Sequence, residues 1–472
     1  MTRGAIPQKS FADLELERQG VVLDSVLQGI SDLLDEQDEL VERVHQDLVR
    51  GLKQPQSGRE GMSAERVLRG FVLQRVKNWD LRELRERIAD GVTLRQFTDF
   101  YSDAVPSHHA FHRAFSRLRP ETVRALNQAV VQAAVEMGVE DGETLRVDTT
   151  VVETDIHHPT DAGLLWDSVR VLTRLVKRVG EEIPELVEGF PNRCRRARRR
   201  MQELQRMDRQ QRRRQQRRKY QDLLKVAQEV IDHSRQVARK SANLRILDLI
   251  QAAKVEALRE KIVHYCELTV RVMDQTSRRI LQEESVPAEE KIVSIFEPHT
   301  AIIKRGKVTK PVEFGRKLFL AESAQGLITD YQVLEGNPTD DTHVTDSLQR
   351  HQLAFGTAPK VYAADRGFYS EENLRRCETA GVQVISVPHR GGKKTPELQS
   401  LEKSKEFRRA QRFRAGIEGR ISVLFRGRGM KRCLLEGEER FDLFIGAAVL
   451  ANNLLVIVKH LAKRRARTRR RR

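Results

Sequence analysis

An α/β core, a mixed sheet flanked by helices, preceded by an all-α N-terminal region and interrupted by a long helical insertion, is the fold class the sequence predicts. Three observations carry that expectation. Apolar residues recur at helical spacing through about residue 138, the pattern switches at Glu143 to the β-branched run ETLRVDTTVVET, and strand-like runs return only after residue 288. At 472 residues the chain is long enough for about two to four structural units, so a sizeable buried core is feasible.

Residues 10 to 50 read as helix, with Leu14, Val21, Val26, Leu27, Ile30, Leu33 and Leu34 among polar neighbours. The Gly/Pro/Gln/Ser stretch GLKQPQSGREG interrupts it. From Ser63 to Gly138 a second helical region is divided by DGVT and AVPSHH into three or four helices, which on a basic protein suit a helix-turn-helix reader of DNA or a plain packing layer. The run ETLRVDTTVVET partly alternates apolar and polar residues and is the first strand. Residues 161 to 285 return to helical periodicity dense in Arg, Gln, Leu and Glu. Within them RCRRARRRMQELQRMDRQQRRRQQRRK is too polar to bury much by itself and predicts a solvated helix or helical hairpin. Its one-signed charge favours phosphate contact over a merely solvated face.

Strand signals resume at KIVSIFEP and continue in FGRKLFLAES and LITDYQVLEG, the last two joined by Ala324, Gln325 and Gly326 as in a hairpin. A helix follows over Asp340 to His351. Then come the short strand of KVYAADRGFYS, the helix SEENLRRCETAG, the strand VQVISVP, the loop HRGGKK and a long amphipathic helix from about Leu401 to Phe425. Leu443 to Val458 is an apolar run broken by Asn452 and Asn453, short of a bilayer span, and predicts a buried helix. The tail RRARTRRRR lacks apolar periodicity and reads as disordered. The predicted division is 1–59, 60–140, 141–160 opening the core, 161–288 as the insertion, 289–462 completing the core, and 463–472 as the tail.

A formal charge of +18 gives the molecule a positive field that draws in polyanions, so nucleic acid is the first partner to consider. Membrane binding is the weaker reading, because aromatics are only 5% of the chain and no basic helix shows a broad apolar face. Cys194, Cys266, Cys377 and Cys433 lie far apart with no C-x-x-C pair, which predicts reduced thiols rather than a zinc site or disulfide framework. The start MTRGAIPQKSFADLELERQG has no apolar h-region, and the expected location is cytoplasmic and nucleoid-associated.

Three acids stand where a mixed sheet could bring them toward one edge: Asp148 within the first strand, Asp365 at the end of a later one, and Glu418 on the final amphipathic helix. Carboxylates so placed suit Mg²⁺, a hard ion that prefers oxygen ligands, with Mn²⁺ as a substitute. Two such ions about 4 Å apart serve an in-line phosphoryl displacement without a side-chain nucleophile. Each acid also has a plainer reading. An Asp at a strand end is commonly a turn or cap residue, and a Glu on an Arg-rich helix is commonly half of a surface ion pair.

The context of the three acids resembles a known family. LRVDTTVVE, VYAADRGFYS and RFRAGIEGRISVLFRGRGM resemble the three signature segments of DDE insertion-sequence transposases, over roughly residues 60 to 460. Asp148 is followed by Thr149 as the family's first Asp is by Thr or Ser, and Ala364-Asp365-Arg366-Gly367-Phe368 matches its ADRGY/F-type turn. Arg414 and Glu418 keep the R-x3-E spacing of the family's Y-x2-R-x3-E-x6-K pattern, positions that share a face of a continuous helix. Gln411 replaces its Tyr and Phe425 its Lys, with Arg426 or Arg428 as candidate substitute cations. The resemblance implies an RNase H-like core and two Mg²⁺ ions held by Asp148, Asp365 and Glu418. It implies that Arg414 steadies the scissile phosphate or orients Glu418. It further implies cleavage at terminal inverted repeats, strand transfer into target DNA, and a dimer on double-stranded DNA. The gaps, 217 residues between the aspartates and 53 from Asp365 to Glu418, fit a subgroup with a helical arm inserted after the first strand.

Other candidates have plainer accounts. His157 and His158, beside Asp155 and Asp161, suit a structural or DNA-proximal loop better than a transition-metal site, because adjacent side chains point apart. Trp166 could stack on a flipped base, but a core indole is the simpler expectation. HRGGKK lacks the G-x-x-x-x-G-K-[ST] pattern, which argues against nucleotide hydrolysis. Two alternatives remain beside the transposase: a structure-selective nuclease on the same core, and a catalytically silent DNA-binding protein derived from such an enzyme.

Overall fold

The computed structural model describes residues 11–36, 38–54, 61–244, 246, 248–304 and 311–471. The first ten residues, and 55–60 within the GLKQPQSGREG interruption, lie outside the described residues. The chain divides into two compact units, one formed by residues 1–153 and 316–472 and the other by residues 154–315.

The first unit opens with helices. The helix expected over residues 10 to 50 is instead three, Phe11–Arg18, Ser25–Asp35 and Asp38–Val49. It breaks where Gly20 takes a left-handed φ of +76° and where Asp24 starts a new helix by accepting the Val26 and Leu27 amides. The second region holds five helices rather than three or four: Ala64–Lys77, Leu81–Asp90, Val92–Phe97, His108–Phe115 and Pro120–Glu136. Phe71, Phe97, Phe111 and Phe115 pack between them, together with Leu450, Leu454, Ile457 and Val458 of the final helix, Glu438–Arg471. The apolar run near the C-terminus is thus the core of the N-terminal helices. Glu438–Thr468 is long and apolar enough to cross a membrane, yet 83% of its most apolar window is buried inside the protein.

The two asparagines that interrupt this run each have a task. Asn453 accepts the Ile328 amide at 2.9 Å and donates to the Ile328 carbonyl at 2.8 Å, pairing strand backbone as a neighbouring strand would. Asn452 accepts from Arg420 at 3.1 Å. The tail does not end in coil: the helix continues through Arg471, because it carries on without a break from a buried stem.

Seven strands occur among the described residues: β1 Thr144–Thr154, β2 Ala301–Lys304, β3 Val312–Ser323, β4 Ile328–Val333, β5 Val361–Ala363, β6 Val384–Ser386 and β7 Arg432–Cys433. In the first unit the order is β4-β3-β1-β5-β6, with β7 on β1. β3 and β4 form the expected antiparallel hairpin, and β5 runs parallel to both β1 and β6. This is the mixed sheet flanked by helices that the sequence predicts. Alternate residues of β3 serve its two faces. Phe319 and Ala321 join Leu145, Val147 and Tyr362 beneath Val344, Leu348 and Cys377, while Leu318 and Leu320 join Val152 and Tyr331 beneath Leu424, Phe441, Ile445 and Val449.

The long helix expected from Leu401 to Phe425 is three helices, Pro396–Lys403, Lys405–Ala415 and Ile417–Gly427. Ser404 caps the second by accepting the Phe407 amide. The break at Gly416 has a tertiary cause. The Arg146 guanidinium, from β1, donates to the Phe413 carbonyl and occupies the space where a side chain at Gly416 would sit. Arg146 and Arg420 both bond Glu322, whose side chain is fully buried, at 2.8 and 2.9 Å.

The second unit is the predicted insertion of long helices. Asp161–Glu182, Cys194–Arg206, Arg209–Ala242 and Leu249–Thr276 pack around Leu165, Val169, Leu172, Leu223, Val230 and Ile262. The basic segment is a two-helix hairpin, divided at Asp208, whose carboxylate and Gln211 form a capping box. One set of its arginines is paired within the unit, Arg193 with Glu229 and Arg196 and Arg200 with Asp222. Another set, including Arg195, Arg198, Arg214, Arg217 and Arg218, is exposed. KIVSIFEP is not a strand. Gln275 accepts the Ile292 amide and donates to its carbonyl, and Ser294 accepts the Phe296 and Glu297 amides, so side chains satisfy backbone that a strand would pair. The strand here is β2, antiparallel to residues 312–315.

Packing in the first unit sets two expectations for stability. A side chain at Gly446 would run into Tyr331 and come within 2.8 Å of Val123, so Gly446→Val should destabilise by about 1–3 kcal/mol and lower the melting temperature. Glu322→Ala leaves two arginines beside a void and should cost about 3–5 kcal/mol in chemical denaturation, whereas an exposed-site control such as Glu36→Ala should change little.

Candidate active site

The parallel register of β1 and β5 places two of the three predicted acids side by side. The ladder pairs Thr144 with Val361, Leu145 with Tyr362 and Arg146 with Ala363. Asp148 and Asp365 each lie two residues beyond the last pair, and two residues is the repeat that returns a strand to the same face. Their carboxylates meet at Arg414, at the end of Lys405–Ala415. Its guanidinium donates to Asp148 Oδ2 at 2.9 Å and stands 3.6 Å from Asp365 Oδ2. Arg414 Nε is buried without a hydrogen-bond partner among the described residues.

Each aspartate is held by its own backbone as well. Asp148 Oδ1 accepts the Thr149 amide at 2.8 Å, and Asp365 Oδ1 accepts the Gly367 amide at 2.7 Å, capping the short turn Arg366–Phe368. The plain reading of Asp365 as a cap residue therefore describes half of what it does, since Oδ2 still faces Arg414. Burial pushes the Asp148 carboxyl up to about 6, and the neighbouring charges of Asp365 and Asp340 add to the rise. Arg414 and the Thr149 amide pull the other way.

Glu418 is not gathered with them. It is exposed in the first turn of Ile417–Gly427 and makes no hydrogen bond or ion pair among the described residues. The shared-face argument for Arg414 and Glu418 requires an unbroken helix, and Gly416 divides it; Arg414 bonds the aspartates and not Glu418. No group of three His, Cys, Asp or Glu side chains among the described residues is clustered as a metal cage. The donor chemistry still fits a hard divalent ion: two carboxylates on fixed backbone, each with an oxygen facing a single shared cation.

The positions that depart from the family pattern have structural roles. Gln411 donates to the Ala364 and Ser386 carbonyls at 3.1 and 2.7 Å, tying the Arg414 helix to the ends of β5 and β6. Phe425 packs against the core under Ile417–Gly427. Arg428 donates to the Val76 carbonyl, and Arg426 is exposed.

Two polar residues at the site carry no motif in the sequence. Asp340 accepts from Thr149 Oγ1 at 2.8 Å and from Lys317 Nζ at 2.7 Å. Lys317 is a nearly buried lysine inside the apolar run FGRKLFLAES, and a buried cation in a strand is the signal that could have drawn attention to it.

The remaining candidates stand apart from this chemistry. His157 lies 3.3 Å from Asp167, His158 meets the Phe314 ring edge-on, and Asp161 is engaged by Gln275 and Arg279. Trp166 packs against the core of the second unit. HRGGKK is a loop held by Glu402, which accepts the His389 amide and pairs with Lys394. The four cysteines are free.

Likeness to known proteins is found at the level of families. Residues 265–454 match the family described as the transposase DDE domain, a span that includes Asp365, Arg414 and Glu418 and begins after Asp148. Residues 19–117 match the family described as transposase domain (DUF772). No curated protein and no solved structure gave a significant match. Two transposase domains in one chain, joined to a mixed sheet that sets two acids around one arginine, make this protein a member of the DDE insertion-sequence transposases.

Proposed function

We propose that this transposase cleaves DNA at the terminal inverted repeats of an insertion sequence and joins the freed 3′-hydroxyl to target DNA, with Asp148, Asp365 and Glu418 holding Mg²⁺. The observation that carries the reading is the convergence of Asp148 and Asp365 on Arg414. Bound there, divalent ions would activate the attacking oxygen and offset charge on the leaving one. The chain's own contribution is placement. Register fixes the spacing of the two aspartates, and the Arg414 guanidinium holds them together, where it would also steady a phosphate oxygen brought to the site. Glu418, exposed in the first turn after Gly416, would complete the ligand set with the metal bound.

Asp365→Asn should reduce Mg²⁺-dependent cleavage of end DNA by at least about a hundredfold while leaving DNA affinity within a few fold, the scale expected when one fixed charge is removed from a transition state. Cleavage that survives the substitution overturns the assigned site. Pre-cleaved, end-labelled repeat DNA tests joining on its own: strand-transfer product is expected, and cleavage without any joining would make the protein a nuclease.

The exposed arginines of the insertion are assigned to phosphate binding, and the N-terminal helices to end binding by a dimer. Replacing Arg195, Arg198 and Arg214 with Gln should weaken DNA binding across sequences and make log K less steep in log salt by about 0.9 for each phosphate no longer neutralised. An unchanged slope, measured by fluorescence anisotropy between low and moderate salt, removes these residues from the interface.

A further inference from the structure

The turn Asp340–His343 joins the backbones that carry the two aspartates, and its first residue is the joint. Asp340 Oδ1 accepts the hydroxyl of Thr149, the residue after Asp148, at 2.8 Å. It also receives Lys317 Nζ at 2.7 Å, and Lys317 is in turn anchored on the Pro338 carbonyl at 2.6 Å. Asp340 Oδ2 faces the other aspartate's turn. A side chain built on Gly367 would lie 2.9 Å from Asp340 Oδ2 and 2.9 Å from Asp365 Oδ1, so both carboxylates approach one point that only a glycine leaves open. Asn373 completes the bond between the two turns by donating to the Asp341 carbonyl at 2.7 Å and to the Phe368 carbonyl at 3.1 Å.

The charges agree with the geometry. Asp148, Asp340 and Asp365 are three carboxylates facing two cations, Arg414 and Lys317. Such an arrangement is one positive charge short, a deficit that a bound cation would relieve. Asp340 is itself only partly exposed, so its charge is felt at Asp148 through protein rather than through bulk water.

We propose that Asp340 is a positioning carboxylate of the metal site: through Thr149 and the Gly367 turn it fixes the separation of Asp148 and Asp365, and with Lys317 it sets the charge balance that the metal answers. The proposal rests on the metal-site reading of those two aspartates. Outer partners of this kind orient ligands, and their removal lowers metal affinity by about 10- to 100-fold.

The test uses the full chain and Mn²⁺ as the probe, with affinity read by titration calorimetry without DNA and kcat and KM read on end DNA. Asp340→Asn should weaken Mn²⁺ binding by about 10- to 100-fold and lower kcat with little change in KM for DNA. Thr149→Val should move both in the same direction by less, and Thr149→Ser, which keeps the hydroxyl, should restore them. Melting temperature and circular dichroism of each variant separate this outcome from a general loss of fold, and the Thr149 pair keeps the proposal open to refutation if Asp340→Asn does not fold. Unchanged Mn²⁺ affinity and kcat in folded Asp340→Asn, or in Thr149→Val where that is the folded variant, overturn the proposal, provided Asp365→Asn abolishes both. If Asp365→Asn also leaves both intact, the metal-site reading itself is what fails.

Discussion

The site depends on one constraint, the register in which β1 meets β5. Because Arg146 pairs with Ala363, Asp148 and Asp365 fall at equal distances past the ladder and on one face, although most of the chain between them folds elsewhere. A slip of one residue would send one aspartate to the opposite face of the sheet. Register is protected by an apolar pair within the ladder: Leu145 and Tyr362 are both fully buried, and the same slip would turn one of them away from that core. Packing therefore fixes the chemistry, and the two cannot be altered separately.

The same strand sets the third acid's element through a different residue. Arg146 lies two positions before Asp148, points to the same face, and reaches the helix that ends at Ala415. Its guanidinium donates to the Phe413 carbonyl, which also accepts the Gly416 amide at the helix end, and fills the space a side chain at 416 would need. Glu322 joins Arg146 of β1 to Arg420 of the helix that follows that break. Breaking a buried charged set is far more costly than forming it is rewarding, so its value is in geometry more than in net stability. It defines where Lys405–Ala415 stops and where Ile417–Gly427 begins.

How far the sequence was legible follows from whether each signal was local. The switch to β1, the β3–β4 hairpin, the strand and turn around Asp365 and the long helices of the insertion were readable because periodicity, turn residues and caps lie within a few positions of one another. The break at Gly416 was not, since its cause is an arginine about 270 residues earlier. KIVSIFEP has the composition of a strand, and a glutamine from a preceding helix takes its backbone bonds. The tail has no apolar period of its own and is helical as the continuation of a buried helix. Asp340 was hidden in the same way, because the partners that give it meaning, Thr149 and Lys317, are distant in sequence.

The exposed position of Glu418 agrees with the electrostatics of the acids already gathered at Arg414. Asp148 is already pushed toward its neutral form by burial and by two neighbouring carboxylates, with Arg414 the guanidinium in direct contact. Bringing Glu418 in as well would set four carboxylates against Arg414 and Lys317 in a partly desolvated space, and the added repulsion would be met by protonation or by expulsion of one acid. An acid at the start of a short helix, behind a glycine and in contact with water, avoids that cost. Under the proposed function a divalent ion would reverse the balance, because each carboxylate would then gain more from the ion than it loses to its neighbours. The sheet fixes the two aspartates, and under the proposed function Glu418 would join them only where added counter-charge offset that repulsion.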